Sequence, residues 1–594
     1  MYERDPLVLL QFLAVAGMMP LAYSLCGLWI RWLRPGQDEP QALDADASPL
    51  IAGAWSLGFV GLICWYLSLP YLWVSPFLLG PGIWILGRSS QVRREFAAGL
   101  WEIYGYYVLL LVVVSVYPFP GLFQWFGDWF DSLSQATLLV KNDPLGNKVS
   151  YLIGARSPIS GFGAGWAYLL ERKGFLTFQA HFALVSAGFL LVLFRELRKF
   201  TGTALNLGWK LSMALSAPVL LHSLTMWSKP LSAACVVLAL GEAWRARQVF
   251  QRGASKRRPM VRFAFWMAAA LSAHTAAIIF MPFFVLLAIW PLFRAPRQLL
   301  TQMAIIAVIC FFIGGSAELA SMARLGLKEK VALNPAVLYR KNISVGKQTL
   351  INLEYTLMGN PPEVLDALAR AEAVLGHDAW PGMQLWVCRG VLPTMFAGSL
   401  LMSFVPFLGG AWPAGFWKRA GGWLRIRANG TRAKVVVGAI MLILIIHAYL
   451  TPYGNGLGIV QAGLLPLQMV GLAFTAYVFQ VWARPVSRGI AQFSLIALGA
   501  GQIVLISSVV SFCLLPGVPK MLGFLDYMKT LPNMNFIMEN KVCTLACSFF
   551  PLLPPCLAMV AGLLFAIPAW RRRKTNLQEI DTSSGLEQKA ISDN

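Results

Sequence analysis

Apolar runs of close to twenty residues, separated by short polar gaps, recur along almost the whole chain. A helix of about 20 residues spans a bilayer's hydrocarbon core of about 30 Å, so runs of this length predict transmembrane helices. They centre on 7–30, 49–68, 71–87, 99–117, 178–194, 204–224, 231–244, 263–276, 277–293, 299–317, 386–410, 435–451, 457–481, 489–514 and 544–569. The expectation is an all-α, polytopic transmembrane protein of about fifteen helices, because lipid leaves helices as the fit for such runs. His274 and Thr275 divide the long stretch 263–293 into two of these.

The gaps are not alike. One alternating set holds most of the Lys and Arg, for example Arg252, Lys256, Arg257, Arg258 and Arg262, or Arg571, Arg572, Arg573 and Lys574. Basic short gaps mark the cytoplasmic side, which puts the N-terminus outside and the C-terminus inside. The first run is long enough to stay as a membrane helix. This divides the chain into a three-helix segment at 1–97, a core at 98–324 with a first exterior loop at 118–177, a large exterior loop at 325–385, C-terminal helices at 386–570 and a cytoplasmic tail at 571–594.

Composition agrees with this reading. Hydrophobic residues make up 57% and charged residues 13% of the 594 positions, against about 25% charged in soluble domains. A soluble globule and a disordered chain are both excluded. The formal charge of +22 would suit nucleic acid, but its placement in gaps between apolar runs makes it a topology signal, and no nucleic-acid partner is expected. The nine Cys form no CxxC and no Cys/His metal pattern.

Chemistry is concentrated in the first exterior loop. Asp128, Asp131, Ser132 and Gln135 share one helical face, and Trp129, Leu133, Ala136 and Val140 share the other. Such an amphipathic helix is expected to lie at the membrane surface and hold two carboxylates at the lipid–water boundary. There a carboxylate with raised proton affinity can act as a general base. The bland alternative is that Asp128 caps the helix and Asp131 extends its first turn.

Residues 127–170 resemble the first exterior loop of GT-C glycosyltransferases of the bacterial, lipid-linked-sugar-dependent type. The likeness rests on Gly127-Asp128-Trp129, on the amphipathic helix that follows, and on Ala155-Arg156-Ser157-Pro158-Ile159. Leu224-Thr225-Met226-Trp227-Ser228-Lys229-Pro230 and the segment 346–359 add to it. The resemblance implies a GT-C-like core and an inverting transfer from a polyprenyl-phosphate sugar donor to a glycan, lipid or protein acceptor. It implies a bacterial inner (plasma) membrane enzyme with its site on the periplasmic face.

By that resemblance Asp128, with Asp131 as a second candidate, takes the acceptor proton or helps to hold a divalent cation such as Mg or Mn. Arg156, Lys229, Arg340 and Lys341 would neutralise the leaving lipid phosphate. Each of these cations has an alternative as an interface anchor. Residues 222–232 lack the second carboxylate that many members of the group carry; His222 could stand in as a metal ligand or be a buried structural histidine. A transporter or flippase, a polysaccharide ligase or polymerase, and a structural subunit of an envelope assembly remain as alternatives. Gly161-Phe162-Gly163-Ala164-Gly165 is not a phosphate loop, since no strand precedes it and no Lys-Ser/Thr ends it; close helix packing explains it better.

Overall fold

A computed structural model describes residues 6–33, 47–116, 128–141, 157–168, 175–224, 227–252, 258–332, 344–358, 400–411, 430–451 and 463–513. Every regular element among them is helical. Those used below are α1 (Pro6–Cys26), α2 (Ser48–Leu67), α3 (Leu79–Arg88), α4 (Ser90–Val116), α5 (Asp128–Lys141), α6 (Ile159–Gly163), α7 (Phe175–Thr201), α8 (Ala217–Leu224), α9 (Lys229–Gln251), α10 (Arg258–Ala273), α11 (Met281–Ile289), α12 (Pro296–Ile309), α13 (Val345–Met358), α14 (Gly430–Leu450), α15 (Leu465–Trp482) and α16 (Pro485–Cys513).

Seven helical stretches among the described residues are long and apolar enough to cross a membrane: 13–32, 48–67, 90–113, 177–201, 275–294, 296–314 and 465–482. The all-helical, membrane-spanning class therefore holds, but the described residues do not bear out a count near fifteen. Several expected spans are broken or too short. The run at 71–87 contains Pro76 and Pro81 and folds as a chain of short turns ending in α3, because proline cannot supply the helical N–H. The run at 204–224 splits into Leu207–Ala214 and α8. The division at His274 does occur: its backbone is extended at φ −158° and its Nδ1 accepts from Ala276 N at 3.2 Å.

The core is built around α7, which is buried throughout 177–194. Helices α1, α2, α4, α8, α9 and α15 surround it. A helix buried on all sides needs apolar residues on all sides, and α7 supplies them from Phe178 through Phe194. Two polar side chains enter this core as a matched pair. Tyr23 OH donates to the Gly163 carbonyl at 3.0 Å and meets Nδ1 of His181 at 3.0 Å. At the periphery, α4 and α12 turn Trp101, Val108, Val112, Leu300 and Val308 outward, as lipid-facing helices do.

Charged side chains gather at one end of the bundle, where α2, α4 and α10 begin and α7 ends. Glu242 on α9 is almost fully buried; its Oε1 accepts from Arg245 at 2.9 Å and from Arg262 of α10 at 2.5 Å. Glu196 on α7 pairs with Lys199 at 2.5 Å and lies 4.0 Å from Arg245. Arg195 donates to Ser48 Oγ at 3.2 Å, and Arg31 pairs with Glu95 at 3.0 Å. The sequence placed these residues in cytoplasmic gaps. In the structure they are pins between helix ends, because a long side chain near a helix end reaches the neighbouring helix as easily as it reaches water.

Removing one partner of a buried pair strands the others. Glu242→Ala is expected to destabilise the bundle by about 3 kcal/mol or more, read as a lowered thermal midpoint of the detergent-purified chain, with Glu242→Asp milder. A midpoint unchanged in Glu242→Ala would remove Glu242 as the link between α9 and α10.

Candidate functional site

At the end opposite the Glu242 cluster, three elements converge on the last turn of α10. Helix α9 begins there. Ser228 precedes it without a side-chain capping bond, Lys229 opens it and Pro230 follows, where a missing N–H costs nothing. One turn later Ser232 Oγ donates to the Ala270 carbonyl of α10 at 3.1 Å. Residues 157–168 are the second element. Ser157 Oγ donates to the Ser272 carbonyl, and the chain then runs into the short helix α6. The third element is α2, whose Trp55 Nε1 donates to Ser272 Oγ at 2.8 Å; that hydroxyl in turn donates to Ala269 O at 3.0 Å.

Helix α6 is pressed between α2 and α5 at van der Waals distance. A Cβ on Gly58 of α2 would stand 2.0 Å from the Ile159 carbonyl, and one on Gly161 would stand 2.5 Å from Gln135 Oε1 and 2.8 Å from the Ser132 carbonyl. The glycine run at 161–165 thus serves close helix packing, as read from the sequence. Helix α5 starts at Asp128, where the sequence placed it. Its setting differs from the expected surface helix. Ser132, Ser134, Gln135, Ala136, Thr137, Leu138 and Leu139 are all buried, so Ser132 and Gln135 of the predicted polar face meet α6 rather than water. Periodicity shows that a helix has two faces; it does not show that a second helix covers the polar one.

The predicted site residues divide as follows. Asp128 and Asp131 lie in the first turn of α5, and their side chains are outside the described residues, as are Arg156, Arg340 and Lys341 altogether. His222 and Lys229 are both described, and the fold brings them to one indole. The His222 ring lies 5.2 Å from the Trp227 ring, centroid to centroid, at 55°. Lys229 Nζ sits 3.7 Å from the centroid of that same ring. His222 is 3% exposed and its Nδ1 has no hydrogen-bond partner among the described residues. Trp227 is also buried, and Lys229 is half-buried.

Lys229 brings positive charge to this corner. An ammonium at the first position of a 23-residue helix adds to the positive end of the helix dipole. Trp227 compensates through its negative π face, worth about 0.5–2 kcal/mol depending on desolvation. Together they form a corner suited to an anion. A divalent cation fits poorly at His222, because the Lys229 ammonium sits on the same indole and repels it. Among the described residues no group of three His, Cys, Asp or Glu side chains is placed to hold a metal.

Sequence reasoning singled out His222 and Lys229 but passed over Trp227 as their common support and Ser157, Ser232 and Ser272 as anchors. Trp227 was visible as an aromatic two residues from a lysine. The serines carried no signal, since a hydroxyl bonding a carbonyl on another helix leaves no periodicity.

Two outcomes test this geometry. Trp227→Leu removes the ring under the ammonium, so labelling of Lys229 by an amine-acylating reagent, read by mass spectrometry, is expected to rise several-fold; equal labelling would deny the stacking. Gly58→Val forces α6 off α2 and is expected to destabilise by about 1–3 kcal/mol, seen as a lower thermal midpoint, whereas an unshifted midpoint would deny the close contact. No protein-family model, no curated protein and no solved structure matches this chain.

Proposed function

We propose that this chain is a GT-C-like, inverting membrane glycosyltransferase. It moves a sugar from a polyprenyl-phosphate donor to a glycan, lipid or protein acceptor at the exterior face of a bacterial inner membrane. The observation that carries this reading is the Lys229 ammonium, held on Trp227 at the start of α9 and joined through α10 and α6 to the helix that Asp128 opens. An anion-seeking corner and a carboxylate-bearing helix tied to one junction suit a reaction that expels a phosphate while it deprotonates a hydroxyl.

In the proposed step the acceptor oxygen attacks the anomeric carbon from the face opposite the phosphate. The new carbon–oxygen bond forms as the bond to the phosphate oxygen breaks. The electron pair leaves with the lipid phosphate, and the acceptor proton passes to Asp128. Lys229 balances the charge that develops on the departing phosphate. Arg156, Arg340 and Lys341 are further candidates for that duty, Asp131 is an alternative base, and no step depends on a metal.

A second reading, a carrier of lipid-linked glycans, draws on the helix break at His274, since broken helices inside a bundle are features of transport pathways.

Asp128→Asn is expected to abolish transfer of radiolabelled sugar from polyprenyl-phosphate mannose or arabinose while leaving membrane insertion intact. Lys229→Met is expected to lower kcat by about 10²-fold, the usual scale for loss of one charge-stabilising group. Full transfer by Asp128→Asn would end the catalytic assignment. Translocation of a fluorescent lipid-linked sugar in vesicles, without transfer, would favour the carrier.

A further inference from the structure

We infer that the last turn of α10 sets the distance between the carboxylate-bearing start of α5 and the lysine-bearing start of α9, and that Ser157 and Ser232 are positioning residues for the transfer; this rests on the reading given under Proposed function.

A helix leaves its last four carbonyls without partners inside the helix. In the last turn of α10, side chains from two different elements bond two carbonyls: that of Ser272, and that of Ala270, which also keeps the N–H of His274 at 2.9 Å. Ser232 of α9 bonds the Ala270 carbonyl at 3.1 Å, and Ser157 bonds the Ser272 carbonyl. Trp55 of α2 holds the same turn from a third side, through Ser272 Oγ at 2.8 Å. A helical turn held from three sides has little freedom to tilt.

Both reactive groups of the proposed step stand a short, stiff distance from this turn. Lys229 is three residues before Ser232, one turn of α9, and its ammonium is fixed on Trp227. On the other side, Ser157 leads within two residues into α6. Gly161 of α6 abuts the Ser132 carbonyl, and Ser132 follows Asp128 by one turn of α5. The route from lysine to carboxylate helix therefore runs through helices and direct contacts, with no long loop in it. Catalysis that works by placement is sensitive to such a route, since a shift of about 1 Å can cost about 10²-fold in rate.

A hydroxyl that only satisfied a helix end would affect stability and leave turnover alone. The positioning role predicts a different pattern. Ser157→Ala with Ser232→Ala is expected to lower kcat by about tenfold or more, with the KM for donor little changed. Ser157→Thr, which keeps the hydroxyl, should restore turnover that Ser157→Val does not. Hydrogen exchange of the full-length chain in detergent should quicken at residues 159–163 in Ser157→Val and stay slow in Ser157→Thr.

The outcomes separate the two claims. If Asp128→Asn is inactive while the double serine variant keeps kcat within about twofold, the positioning role is wrong and the enzymatic reading stands. If the unaltered chain transfers no sugar, the enzymatic reading is wrong and the positioning role falls with it; if Asp128→Asn stays active, Asp128 is not the base and the distance proposed to matter is not set to it. Slow exchange at 159–163 in Ser157→Val would show that the junction does not hold α6 at all.

Discussion

Carbonyls at a helix end that cannot reach water must find a donor, and the end of α10 at Ala273 meets that requirement with side chains from other helices. Had α10 continued past His274, its Leu271 and Ser272 carbonyls would have been used within the helix. The break frees the Ser272 carbonyl for Ser157, while the Ala270 carbonyl keeps its helical bond from His274 N at 2.9 Å and takes Ser232 as a second donor. One terminated helix therefore gathers α9, α6 and, through Trp55, α2. The corner where Lys229, Trp227 and His222 meet is built on that junction.

The opposite end of the bundle answers the same constraint with charges. Glu242, Arg245 and Arg262 link α9 to α10, and Glu196 with Lys199 extends the cluster to α7. Since α9 and α10 are pinned by ions at one end and by Ser232 at the other, the pair acts as a strut along the bundle. A strut of this kind suits a site at which two chemical groups on different helices must keep a fixed separation. It also explains the burial of so many charged residues in a chain that has few, since near helix ends paired charges can fasten helices while their heads stay near water.

Much of the fold was legible from apolar patterning. The spans at α1, α2, α4, α7, α12 and α15 follow runs read directly from the chain, and the break at His274 follows the one polar pair in a long apolar stretch. The start of α5 at Asp128 and the packing role of the 161–165 glycines were legible too. The burial of α5 was not, because its serines and glutamine look the same on a solvated face as on a face pressed against glycine. The candidate site was legible only as residue types. His222 and Lys229 stood out as titratable groups near Trp227, but their convergence on one indole depends on how α8 and the start of α9 are placed.

The helical class, the apolar character of the spans and the short list of titratable groups follow from the order of residues, because the cost of leaving a peptide group unsatisfied in hydrocarbon is read from composition and run length alone. Which of those groups share a corner, which helix end is bound by serines and which charged residues serve as pins emerge from the packing of the helices. These are contacts between elements far apart in the chain, and no local pattern of apolar and polar positions encodes them.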